Sequence, residues 1–66
     1  MNKKDFLYSL ENAGLIDCKR DENGNIDIQG TIQDSEFNRG FWNPRGEWIS
    51  LKSIYQVLLD MDVFED

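Results

Sequence analysis

The feature that most constrains this sequence is how little apolar material it has for building a core. A chain of 66 residues removes only about 60% of the surface that its unfolded form exposes. Ordering it costs on the order of 100 kcal/mol, at about 1.5 kcal/mol per residue, which nearly cancels what burial supplies. Almost every large side chain is therefore needed for one core, and a single domain over residues 1–66 is expected. An enzyme cleft would have to be carved from material the fold needs.

The local signals alternate between helices and tight turns. Asn2, with Asp5 three residues later, reads as a helix start. Phe6, Leu7, Leu10 and Ala13 then recur at helical spacing, Tyr8 faces the opposite way, and Gly14 supplies a left-handed stop. Asn23-Gly24 marks a hairpin. A two-residue loop there would set Lys19 against Ile28 and Asp21 against Ile26. The three-residue loop Glu22-Asn23-Gly24 instead pairs Cys18 with Ile28 and sets Lys19 opposite Asp27 on the wet face, a favourable cross-strand pair. That register is the expected one, with Ile26, Ile28 and Ile32 facing the core and Gly30 at a bend or close contact.

Residues 33–40 read as an irregular connection around Phe37. A second hairpin turns at Asn43-Pro44-Arg45-Gly46, a type I sequence, pairing Phe41 with Trp48 and sending Trp42 and Ile49 to the other face. Ser50 or Ser53 opens a last helix with the stripe Leu51, Ile54, Tyr55, Leu58 and Met61, ending before Asp62. The expected fold class is α+β, in the order α-β-β-β-β-α. A small antiparallel sheet of three to four strands would be flanked by an N-terminal and a C-terminal helix.

Thirteen acids against seven bases give a net charge of −6, and histidine is absent. Such a surface repels nucleic acid and anionic lipid, so neither direct nucleic acid binding nor membrane binding is expected. Without histidine there is no proton shuttle at neutral pH and no histidine-activated nucleophile. With Cys18 as the one cysteine, neither a zinc cluster nor an internal disulfide forms. The segment Asp21-Glu22-Asn23-Gly24-Asn25-Ile26-Asp27 matches the middle of a calcium loop. Aligned on Gly24, however, Lys19 falls at its first ligand position and Gly30 at its last, where carboxylates are needed, so a hairpin turn is the better reading. No enzyme, cofactor or metal site is expected. The first residues, Met1-Asn2-Lys3-Lys4-Asp5, lack the apolar run of a secretion signal, so a cytoplasmic location is expected.

Two acidic clusters stand unopposed along the chain. Asp21, Glu22, Asp27, Asp34 and Glu36 fall in a stretch without a base, and Asp60, Asp62, Glu65 and Asp66 close the sequence. The second group lies at or beyond a helix C-terminus, where the dipole disfavours negative charge. These nine acids are the candidate partner-binding residues. Tryptophans in so small a chain ordinarily belong to the core. On an uncovered face, Phe41 and Trp48, with Arg45 in the turn, would instead form a secondary interface or a dimer contact.

In size, charge and these clusters the chain resembles the small phage-encoded anti-CRISPR and DNA-mimic proteins. The resemblance implies a non-catalytic inhibitor whose carboxylates stand in for phosphates and block the DNA groove of a CRISPR effector, a basic nucleic-acid-binding complex. Reversing Asp21, Glu22, Asp27 and Asp34 to lysine should then abolish inhibition while sparing the fold. The alternatives are a small structural protein, homodimeric through the Phe41/Trp48 hairpin, and an immunity protein neutralising a basic nuclease toxin. A monomer or weak homodimer is expected.

Overall fold

A computed structural model describes residues 1–65. It is a small α+β structure, as expected, but its middle is helical where strands were expected. Helix α1 spans Lys3–Asn12, α2 Ile28–Gln33, and a 3-10 turn Ser35–Asn38. Strands β1 (Gly40–Trp42) and β2 (Trp48–Ser50) form an antiparallel pair, and α3 (Leu51–Asp60) follows directly.

Helix α1 begins as its sequence dictates. The Asp5 amide donates to Asn2 Oδ1 at 2.8 Å, Leu7 is fully buried, and Phe6 and Leu10 pack beside it. Ala13, assigned above to the apolar face, is instead the exposed C-cap residue. The helix closes in a Schellman turn: Gly14 (φ 78°) donates to Glu11 O and Leu15 to Leu10 O.

The first hairpin keeps the expected bulged register but not its strands. Arg20 bridges Ile26, and the Asp27 amide donates to Lys19 O at 2.8 Å, as the Lys19/Asp27 pairing requires. Beyond this bridge the chain turns into α2, so the expected four-stranded order reduces to one two-stranded sheet among the described residues. The cause is local. Asp27 is an N-cap, its Oδ1 accepting the Gly30 amide at 3.1 Å, and Ile28, Thr31 and Ile32 then recur at helical spacing.

The second hairpin is shifted by one residue from the expected register. Trp42 pairs with Trp48 and Phe41 with Ile49, correcting the Phe41/Trp48 pairing. Asn43 fixes this. Its Oδ1 accepts the amides of Arg45 and Glu47, and its own amide donates to Glu47 O, closing a three-residue loop with Gly46 at φ 81°. A slip of one residue exchanges the faces of every side chain, so the two tryptophans share one face and meet edge to face at 5.3 Å.

The core lies between α1, the 3-10 turn and α3. Leu7, Ile16, Phe37, Leu51, Tyr55 and Phe64 are buried together. Tyr55 is its centre, with ring centroids of Phe37 at 5.8 Å, Phe64 at 5.4 Å and Phe6 at 6.1 Å. The Ser53 amide donates to Ser50 Oγ at 3.0 Å, which settles the cap of α3 on Ser50. Leu51 and Tyr55 carry its buried stripe, with Ile54 and Leu58 half-buried, but Met61 is exposed, because α3 ends at Asp60 and the chain reverses at Asp62. That reversal brings Phe64 back into the core, and the Glu65 amide donates to Met1 O. No described helix is long and apolar enough to cross a membrane.

Candidate functional site

Most of the acids singled out above have local structural tasks. Asp21 Oδ1 accepts the amides of Asn23 and Asn25, building the first turn, so the segment resembling a calcium loop is the expected hairpin turn. Asp27 caps α2. Asp34 caps the 3-10 turn through the Glu36 amide at 2.9 Å and meets Lys19 Nζ at 3.1 Å. Glu36 accepts the Asp17 amide at 2.9 Å and faces Arg39 at 4.0 Å. The first cluster is therefore not unopposed in space: Lys19 and Arg39, just outside the acid-only stretch, fold back onto Asp34 and Glu36. The side chains left open to solvent as steering charge are Glu22 and the exposed Asp21 and Asp27.

The second cluster divides similarly. Asp60 accepts from Gln56 Nε2 at 3.1 Å, and Glu65 Oε1 pairs with the Met1 amine at 3.1 Å. Asp62 is exposed and left-handed at φ 57°. Asp66 lies outside the described residues.

Local hydrogen bonds also set the charge states. The Cys18 amide, with the Arg20 guanidinium at 2.7 Å, holds the Glu11 carboxyl below its usual range. The Glu36 amide, helped by Lys19, does the same for Asp34. Burial pushes the Cys18 thiol up and the Glu11 carboxylate adds to the effect, the reverse of what a thiolate nucleophile needs. Among the described residues no group of three or more acid or cysteine side chains is placed to hold a metal.

The second surface is apolar. Contrary to the core placement expected for tryptophan, Trp42, Trp48 and Phe41 are all exposed. Beside them lies an open groove of about 600 Å³ lined by Leu10, Leu15, Phe41, Trp48 and Leu51, with Arg39 as its one charged wall. Arg39 Nη1 donates to Leu15 O at 3.1 Å, tying the start of the hairpin to the end of α1. Arg45 sits in the turn, exposed and outside the groove lining. Trp42 and Leu15 join Phe41 and Trp48 as exposed apolar candidates on this surface. The available signal was the Asn43-x-x-Gly46 pattern, which repeats Asp21-x-x-Gly24 and carries the same register.

Charge is unevenly distributed along the chain. From Arg39 through Leu59 there are three bases (Arg39, Arg45, Lys52) and one acid (Glu47), a balance of +2, which leaves −8 on the rest of a −6 chain. In comparisons with protein-family models, curated proteins and solved structures, nothing matched this chain.

Proposed function

We propose that this protein is a non-catalytic inhibitor that engages a basic, nucleic-acid-binding partner through carboxylates outside its hairpin. The observation that carries the reading is the segregation of charge: −8 lies outside residues 39–59. A field of that sign steers the protein towards a lysine- and arginine-lined groove and competes with the phosphates that groove receives. A CRISPR effector is the partner class that the resemblance suggests. The acids best placed for it are Asp21, Glu22 and Asp27, with Asp60 and Asp62 as a second set. Asp34 and Glu36 contribute less, being held by Lys19 and Arg39.

Testing this requires removing charge without removing caps. Lysine at position 21 or 27 would destroy a turn or a helix start, so the reversal set out above would not leave the fold intact. Asparagine keeps an Oδ1 acceptor at both sites. The combined Asp21→Asn, Glu22→Gln, Asp27→Asn protein should fold as the wild type by circular dichroism. In pull-downs from bacterial lysate it should lose the nucleic-acid-binding complex that the wild type releases as salt rises. Equal capture by both proteins would overturn the reading.

A further inference from the structure

We propose that two copies of this chain pair through their hairpins, Trp42 of each copy closing the apolar groove of the other. Nothing in this depends on the basic partner, because the surface and the residues are different.

Trp42 is 69% exposed, Phe41 54% and Trp48 48%, and Leu15 on the groove wall is 44% exposed. Aromatic side chains offer about 150–250 Å² each, so the three rings leave roughly 350 Å² bare at these fractions. That lies within the ~300–600 Å² range of the largest patch on a monomer, where such patches are often functional. Two copies meeting there would remove about 700 Å² from the rings alone. Leu15 and the groove walls bring the total towards the ~1,000 Å² that a specific interface requires.

Charge selects the occupant. None of the residues lining the groove is acidic, and Arg39 is the one charged among them. Two −6 chains can therefore meet on this surface with Glu47 of the turn as the acid nearest the contact. A basic partner is drawn to the acids elsewhere, and a strongly acidic one is repelled by the whole molecule. A second copy also brings the matching shape. Each chain carries both a projecting ring, Trp42, which does not line its own groove, and a hollow of about 600 Å³. Knob and hole on one surface make a self-complementary, two-fold contact.

Sedimentation velocity on the full chain, from low micromolar to near-millimolar concentration, tests this. The sedimenting mass should rise from the 7.7 kDa of one chain to twice that. Trp42→Ser should raise the dimer dissociation constant roughly thirty-fold or more, as hot-spot tryptophans do, while circular dichroism shows the fold retained, because the ring lies outside the core and meets Trp48. Leu15→Asp should block the hole in the same way. An equimolar mixture of the two variants should associate more tightly than either alone, since one intact knob then meets one intact hole. A wild type that stays at 7.7 kDa throughout would overturn the proposal, as would Trp42→Ser dimerising with wild-type affinity. The Asp21→Asn, Glu22→Gln, Asp27→Asn protein should dimerise at least as well as wild type, which separates failure here from failure of the inhibitor reading.

Discussion

Asp21 and Asn43 perform the same task in two different hairpins. Each lends Oδ1 to the amides two and four residues ahead, and each precedes by three positions a left-handed glycine, Gly24 at φ 82° and Gly46 at φ 81°. The two turns share this Oδ1 geometry, and Asn43 adds a bond of its own, Nδ2 donating to Glu47 Oε1 at 3.2 Å. Gly24→Ala and Gly46→Ala should each cost about 1–2 kcal/mol, the penalty of a Cβ in the left-handed region. Asp21→Ala should lose two side-chain hydrogen bonds and Asn43→Ala three, worth about 1 kcal/mol apiece. Asp21→Asn should be nearly neutral, whereas Asn43→Asp sets a carboxylate against Glu47 and should destabilise. Urea titrations of the six variants check this, and a large asymmetry between the two glycine variants would refute the shared geometry.

What could be read from the sequence follows from how local each signal is. The starts of α1 and α3 depend on Asn2, Asp5, Ser50 and Ser53, all within three residues of their partners, and both were readable. The register of the first hairpin was readable because Lys19 and Asp27 distinguish its faces. In the second hairpin both faces are apolar, so hydrophobic alternation could not fix the register, and the Asn43 loop decided it. The strand expected at Ile26–Ile28 failed because two isoleucines at spacing two also begin a helix once Asp27 caps it. Exposure of the tryptophans was not locally encoded. It depends on α3 contacting the hairpin from its β2 side while no other described element covers the rings.

Thr31 ties that unexpected helix to the chain before it. It is almost wholly buried, its Oγ1 donating to Asp27 O at 2.7 Å and accepting the Lys19 amide at 3.0 Å. Thr31→Val keeps the shape and leaves the Lys19 amide without its acceptor, which should cost about 1–3 kcal/mol. Thr31→Ser retains the hydroxyl and loses one methyl, about 1 kcal/mol. Chemical denaturation should therefore rank valine below serine, the reverse of what a purely apolar site would give.

Glu11 makes stability depend on pH. Its carboxylate accepts the Cys18 amide at 2.9 Å and the Arg20 guanidinium at 2.7 Å, and its pKa lies below the ordinary 4.5. Asp34 is likewise depressed from 3.8 by the Glu36 amide and Lys19. A depressed folded-state pKa means the unfolded chain binds protons first as pH falls. The contribution is complete above about pH 5 and disappears as pH drops through 4.5 and 3.8 towards the folded values. Glu11→Gln should lower the melting temperature at pH 7, and the gap to wild type should narrow below pH 4. A gap constant from pH 7 to pH 3 would show that the carboxylate's charge contributes nothing.

Asp62 occupies at the end of α3 the position that Gly14 occupies at the end of α1. The Asp62 amide donates to Leu59 O and that of Val63 to Leu58 O, the same pair of bonds that closes α1. An aspartate at φ 57° carries left-handed strain, and its charge sits where the helix dipole is negative. Each effect costs on the order of 1 kcal/mol, so Asp62→Gly should raise stability by roughly 1–2 kcal/mol while leaving Phe64 in the core. Asp62→Asn, which removes the charge and tolerates the backbone, should recover part of that gain. A residue that disfavours its own position can be retained for what it contacts, so the same two variants also probe the inhibitor reading. If Asp62 belongs to the partner surface, both should melt higher than wild type and bind the basic partner more weakly. Higher melting with unchanged binding would take Asp62 out of the partner surface.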